Sequence, residues 1–278
     1  MEKIFYYQEE KINYALHQQA PKRPWIVLIH GFCSDHLVWD ACVPILRQHY
    51  NLLLPDLAGY GKSDMTTERW TIESMADRIA ALLQHESIER CIILGHSMGG
   101  YVSITFADLY PQMVAGLLLC HTTTFDDDEQ KKQNRRKAVQ LIEKFGTRPF
   151  LTVFYDDLFL KEYARQNNEV VNEQENRALQ LPAKIIIDSS NAMIARPSRA
   201  GVLERLTCPV GWLIGKQDNF TTYEKNLAEI YLPQQSCVYV MSNCGHMSMW
   251  EDTQKATNYM LDFADLVFRT DPLTLPKS

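Results

Sequence analysis

The chain's 278 residues, 46% hydrophobic and 22% charged, suit one large globular α/β domain with an inserted lobe. A formal net charge of −6 gives no electrostatic support to a nucleic-acid partner, and no apolar run approaches the ~18 residues that a bilayer span needs. Seven cysteines without a CxxC pair, and an opening Met1-Glu2-Lys3-Ile4-Phe5 without the apolar core of a secretory signal, make a reducing, cytoplasmic location the expectation.

In chain order, residues 4–7 and 12–16 read as two strands around the polar turn Gln8-Glu9-Glu10-Lys11. The apolar run Trp25-Ile26-Val27-Leu28-Ile29 predicts a strand buried on both faces, ending at His30-Gly31-Phe32. Trp39, Cys42, Val43 and Leu46 stand at helical spacing after it. Asn51-Leu52-Leu53-Leu54 predicts the next strand, which runs into Asp56-Leu57-Ala58-Gly59-Tyr60-Gly61-Lys62-Ser63. A helix is expected over 71–85, with Met75, Ile79, Leu82 and Leu83 on one stripe. A strand over 91–94 then breaks at Gly95-His96-Ser97-Met98-Gly99-Gly100, and a helix follows at once. The run 115–120 predicts a further buried strand leading into His121.

Up to this point strands and helices alternate, which argues for a mostly parallel sheet with helices on both faces. Between 122 and 204 the rhythm becomes helical. Asp126-Asp127-Asp128-Glu129 opens a helix whose basic stretch, Lys131-Lys132-Gln133-Asn134-Arg135-Arg136-Lys137, reads as a solvated face opposite Ala138, Leu141, Ile142 and Phe145. Helical segments are expected around 149–166, 173–181 and 183–195. An insertion of this size in this place suits a lid. Strands over 210–214 and 237–241 then resume the alternation, around a helix at 222–231. They end at Gly215-Lys216-Gln217-Asp218 and Asn243-Cys244-Gly245-His246. A closing amphipathic helix over 253–268 precedes the tail 271–278, which is expected to fray.

In a parallel sheet the residues just after each strand meet along one edge. Here they are Phe32, Asp56, Ser97, His121, Asp218 and His246. A strand that passes straight into a helix needs a strained turn, and Gly95 and Gly99 leave room for it where a side chain would strike backbone. That turn lifts the Ser97 hydroxyl above the sheet edge at a helix start. A serine hydroxyl is a poor nucleophile until an imidazole takes its proton, and a carboxylate on the far imidazole nitrogen sets the tautomer. Ser97, Asp218 and His246 supply the three groups after separate strands. Asp56 and Asp188 compete for the acid's place, and His121 reads either as a pocket residue or as a hydrogen-bonded structural histidine. Cys33 and Cys120, near the same edge, carry no sign of a reactive thiolate.

The order Ser97, Asp218, His246 and the motifs quoted above resemble the α/β-hydrolase fold superfamily, in its lidded serine esterase/lactonase-like branch. The resemblance covers nearly the whole chain. It implies a mostly parallel eight-stranded sheet, with 1–121 and 205–278 as the core and 122–204 as the inserted helical lid. It also implies Ser97 as nucleophile, His246 as base and later acid, Asp218 as its orienter, and the backbone N–H groups of Phe32 and Met98 as the oxyanion hole. His30 and the turn from Asp56 to Ser63 then belong to the scaffold.

The expected reaction is hydrolysis of a carboxylic ester or lactone of a small, largely apolar substrate through an acyl-enzyme, as in a carboxylesterase. The mechanism needs neither metal nor organic cofactor. Acyl transfer or carbon–carbon bond hydrolysis on the same triad, or a ligand-binding signalling role with the triad intact, remain alternatives. Substrate contacts are expected from Gly31, Phe32, His121, Phe125, Phe220 and Met247. Met98 and lid residues Phe150, Phe154, Tyr155, Phe159 and Met193 are further pocket candidates. A monomer or small homo-oligomer acting on a small molecule, without nucleic acid or membrane, completes the expectation.

Overall fold

The computed structural model describes residues 1–66 and 69–270, so the tail at 271–278 lies outside the described residues. The strands are β1 (Glu2–Tyr7), β2 (Glu10–His17), β3 (Trp25–Ile29), β4 (Asn51–Pro55), β5 (Cys91–His96), β6 (Val114–Cys120), β7 (Val210–Gly215) and β8 (Ser236–Met241). They form one eight-stranded sheet in the order β1-β2-β4-β3-β5-β6-β7-β8. The pairs β1–β2 and β2–β4 are antiparallel and all the others parallel. Every residue of β4, β5, β6 and β7 is buried. That is why these runs are continuously apolar rather than alternating: both of their faces are covered.

The helices are α1 (Val43–Leu46), α2 (Ile72–His85), α3 (Met98–Leu109), α4 (Glu129–Phe145), α5 (Thr147–Leu158), α6 (Lys161–Gln166), α7 (Asn168–Ala178), α8 (Ala183–Ala195), α9 (Ala200–Arg205), α10 (Tyr223–Leu227), α11 (Ser248–Glu251) and α12 (Thr253–Thr270). α2 starts at a capping box in which Thr71 and Ser74 bond each other's backbone N–H, satisfying donors that the helix end leaves free. Its expected stripe, Met75, Ile79, Leu82 and Leu83, is buried. α3 packs on β3, β5 and β6, and α12 on β6 and β7. Five helices, α4 to α8, intervene between β6 and α9.

Several expected helices are shorter or broken. The spacing of Trp39 to Leu46 belongs to a 3₁₀ turn, His36–Trp39, followed by the short α1. Pro44, at the start of α1, has no N–H to continue a helix from the preceding turn, and its ring would meet the carbonyl four residues back. The segment 149–166 divides at Phe159, which is extended (φ −105, ψ 155). The helix expected over 222–231 closes after Leu227, and the one expected over 173–181 begins earlier, at Asn168. Phe145 is 59% exposed rather than packed; it is the last residue of α4, which Gly146 caps.

Candidate active site

β5 delivers Ser97 in a backbone conformation (φ 53, ψ −118) that side-chain-bearing residues rarely adopt. Such a conformation costs about 1–3 kcal/mol and persists only where its surroundings enforce it. They do so here. The Ser97 N–H donates to the Cys120 carbonyl at 2.9 Å, and the Thr122 hydroxyl donates to the Ser97 carbonyl at 2.8 Å. A Cβ on Gly95 would lie 2.3 Å from the Gly99 carbonyl oxygen, and one on Gly99 2.4 Å from that of Ile29. These two glycines let the strand, the turn and the loop after β3 occupy almost the same space.

Asp218 follows β7 and His246 follows β8, and both are buried. His246 Nδ1 lies 2.8 Å from Asp218 Oδ2 in a hydrogen bond. The other carboxylate oxygen accepts the N–H groups of Phe220 and Thr221 at 2.7 and 3.0 Å. Burial by itself would raise the pKa of Asp218. The neighbouring His246 and His121 imidazoles and the His246 hydrogen bond outweigh it, and hold the carboxyl far below the usual carboxylate range. Asp218 is therefore an anion that accepts, which makes Nδ1 of His246 the protonated nitrogen and leaves Nε2 able to take a proton.

The competing acids are engaged elsewhere. Asp56 accepts from the His36 ring and N–H through one oxygen, and from Asn13 and the Lys62 N–H through the other. Asp188 pairs with Lys184 on the exposed side of α8. His30, fully buried, accepts the Leu57 N–H at 3.0 Å and so ties the loop after β3 to the turn after β4. His121 is buried behind the acid. Its Nε2 is 2.7 Å from Ser248 Oγ, while its Nδ1 stands 3.3 Å from Asp218 Oδ2 at an angle short of a hydrogen bond. Among the described residues no protein acceptor takes the backbone N–H of Phe32 or of Met98.

Ser97 and His246 line one cavity of about 530 Å³. Its apolar wall holds Phe32, Phe150, Phe154, Phe220 and Met193. Phe154 meets Phe32 and Phe220 edge-on at ring distances of 5.7 and 5.4 Å, and Phe220 lies 4.9 Å from the His246 ring.

Of the expected substrate contacts, Phe32 and Phe220 are therefore at the wall, and four are not. Gly31 is hemmed in by His96 and Ser97. His121 is enclosed with Asp218 and Ser248, and Met247 is only 2% exposed. The Phe125 carbonyl accepts from Arg196, and the residue stands away from the cavity. Met98, Tyr155 and Phe159 also pack into the core. The polar wall, Tyr101, Lys131, Asn134 and Arg135 with Ser190 and Lys225, was not anticipated. The signal for part of it was present: Lys131, Asn134, Arg135 and Ala138 recur at i, i+3, i+4 and i+7 and so share one side of α4.

His121, Asp218 and His246 bring ligating atoms within 4.8 Å of one another, the single cluster of this kind among the described residues. In it His246 Nδ1 and Asp218 Oδ2 already bond each other. No helix among the described residues is long and apolar enough to cross a membrane.

The strand order, the strained serine after β5 and the acid and imidazole after β7 and β8 define a known class. The family model described as alpha/beta hydrolase fold matches residues 24–253, and the chain belongs to that family. Several of its relatives and structural neighbours are named as hydrolases or esterases. YugF, an uncharacterized hydrolase of Bacillus subtilis, is 31% identical over 107 residues, and the match spans 38% of this chain and 39% of that protein. The structure of a thermophilic esterase from Thermogutta terrifontis, solved with malate bound, is 27% identical, with a TM-score of 0.87 over 96% of this chain and 99% of that one. An enol-lactonase from Burkholderia xenovorans, 18% identical, shares the fold with a TM-score of 0.87 over 94% of this chain and 99% of its own.

Proposed function

We propose that the protein is a serine hydrolase that cleaves a carboxylic ester or lactone of a small, largely apolar substrate through an acyl-enzyme on Ser97. The observation that carries this reading is the Asp218–His246 pair, hydrogen-bonded at 2.8 Å, at the cavity that Ser97 also lines. The esterase that is 27% identical over almost the whole chain supports the same reaction class.

Ser97 Oγ attacks the acyl carbonyl carbon as its proton passes to His246 Nε2, and Asp218 stabilises the resulting imidazolium. The carbonyl oxygen, now carrying the charge, is held by the N–H groups of Phe32 and Met98 at the start of α3. A donor of this kind contributes about 3–4 kcal/mol to the transition state. The carbon–oxygen bond to the alcohol breaks, and the alkoxide leaves with the proton from His246. Water, deprotonated by His246, then attacks the acyl-enzyme, and the acid product departs as Ser97 regains its proton.

Residues 122–204 serve as the lid over a core of 1–121 and 205–278, since α4, α5 and α8 furnish much of the cavity wall. The seven free cysteines, six of them buried, support a reducing, cytoplasmic setting.

The test is direct. Ser97→Ala abolishes turnover of a short p-nitrophenyl ester, and mass spectrometry of the wild type detects an acyl adduct on Ser97. Wild-type rates in the variant would overturn the reading. Product analysis with alcohol or thiol acceptors present separates hydrolysis from acyl transfer.

A further inference from the structure

The basic stretch of α4 does not behave as one solvated face. Lys132 and Arg136 turn outward to Glu129 and Asp126, whereas Lys131 and Arg135 line the cavity that holds Ser97 and His246. Lys225 joins them from α10, and the only carboxylate in the same wall is Asp128, which Lys225 already pairs at 3.1 Å. Immediately behind the wall, the Asp127 carboxylate is shared by Arg135 at 2.6 Å, Arg196 at 2.9 Å and Lys131 at 3.8 Å, so it offsets one of these three cations. The wall thus carries an excess of two positive charges, in a chain whose net charge is −6.

These cations are ordered rather than free-swinging. Arg135 Nε donates to Asp127 Oδ2 at 2.6 Å, which fixes the guanidinium plane, and no acceptor among the described residues takes its two terminal nitrogens. Lys131 Nζ donates to the Phe220 carbonyl at 3.1 Å and has further protons to give. The Arg196 guanidinium stacks 3.8 Å over the Tyr101 ring, and the Tyr101 hydroxyl has no hydrogen-bond partner among the described residues. Burial would raise the pKa of that phenol, yet Arg196, Lys131 and Arg135 outweigh burial and lower it, the sign expected beside a positive potential.

The same cavity also holds an aromatic cluster, Phe32, Phe154 and Phe220, the last of them beside His246. Tyr101 follows Ser97 by four residues, so the two stand about one helical turn, ~5–6 Å, apart along α3. The cavity therefore offers both cations and apolar rings to a short acyl chain held at Ser97. We propose that Lys131, Arg135 and Tyr101 form an anion subsite, and that the substrate is the monoester or lactone of a short dicarboxylic acid, with its free carboxylate on this subsite and its ester carbonyl at Ser97. This rests on the serine hydrolase reading and specifies its substrate class.

The experiment compares p-nitrophenyl hydrogen glutarate with the uncharged p-nitrophenyl pentanoate in the wild type, Lys131→Met and Arg135→Gln. Each substitution lowers the ratio of kcat/KM values, charged over neutral, by about tenfold or more, with the loss mainly in KM. A ratio unchanged in both variants overturns the subsite. Calorimetric binding of glutarate gives a readout that needs no turnover: Lys131→Met weakens it by about tenfold if the subsite is real, and equal binding in both proteins overturns it. If neither ester is hydrolysed while glutarate binding still depends on Lys131, the subsite stands and the serine hydrolase reading fails.

Discussion

His96 Nε2 lies 2.9 Å from the backbone carbonyl of His246, so the residue just before the elbow serine holds the loop that carries the imidazole. Burial, reinforced by the neighbouring His246 and His121, keeps the pKa of His96 well below the ordinary imidazole value. A neutral ring facing a carbonyl must donate, which places its one proton on Nε2. Its Nδ1 has no hydrogen-bond partner and lies against Gly31, where a Cβ would come within 2.8 Å of it.

His96→Phe keeps the ring volume and deletes this donor. An unpaired buried carbonyl costs about 1–3 kcal/mol, and here the cost falls on the placement of His246. We expect kcat for a p-nitrophenyl ester to fall by about tenfold or more, with KM changed much less. An unaltered kcat would show that His96 does not position the imidazole.

Asp218→Asn leaves the shape of the site and removes its charge. An amide can donate to Nδ1, which inverts the imidazole tautomer and takes the lone pair from the nitrogen facing Ser97. The expected loss in kcat is about 10⁴-fold, with binding of the ester nearly intact. Steady-state kinetics decides it, and a loss below tenfold would point to another acid.

Acid stability should depend on Asp56. Burial works to raise its pKa, but the His36 hydrogen bond and charge, with His30 and the Lys62 N–H, bring it from 3.8 to about 2. A carboxyl with a lowered folded pKa leaves the unfolded chain to bind the proton first. Its contribution, about 2 kcal/mol, is complete above pH ~4 and is lost as the pH falls through the folded value. Asp56→Asn should therefore lower the denaturation free energy at pH 5 by at least that amount and flatten its decline between pH 4 and 2. Parallel profiles for the two proteins would contradict this account.

Gly99→Ala tests the close approach beneath the elbow. Its Cβ would sit 2.4 and 2.5 Å from the carbonyl oxygens of Ile29 and His30, which are backbone and cannot swing aside. We expect a loss of about 2 kcal/mol or more in stability, together with loss of ester turnover as the loop carrying Phe32 is displaced. Wild-type melting and activity would be the contrary result.

Phe154 sits among Phe32, Phe150 and Phe220. Phe154→Ala enlarges the apolar part of the cavity, so the best substrate in a series of p-nitrophenyl esters should move to a longer acyl chain. A panel from acetate to decanoate reads the shift, and an unmoved optimum would show that this ring does not limit chain length.

Much of the sheet was legible because β4 to β7 are buried on both faces, and a run such as Ile92-Ile93-Leu94 has no polar alternative to core. The helical boundaries were less so. Apolar spacing around Trp39 and Phe159 reports which residues are buried, but a helix also needs an unbroken ladder of backbone bonds, and Pro44 and the extended Phe159 interrupt it. The cavity wall was the least legible part. Met247 follows His246 in the chain, yet a neighbour in sequence on a strand-end loop can point into the core, as Met247 does. Along the stretch Lys131 and Arg135 are indistinguishable from Lys132 and Arg136; only their angle around the helix sets them on the cavity side.

By itself the sequence determined the alternation of strand and helix, the glycine-flanked serine between them, and an acid and an imidazole after later strands. These are local properties: apolar periodicity, and the few residue types a strained turn tolerates. Only the tertiary structure decided that Asp218 and not Asp56 or Asp188 meets His246, that His121 lies behind that pair, and that one side of α4 turns its charge inward. Such choices depend on where distant segments cross in space, and side chains of the same chemistry compete equally for them until packing separates them.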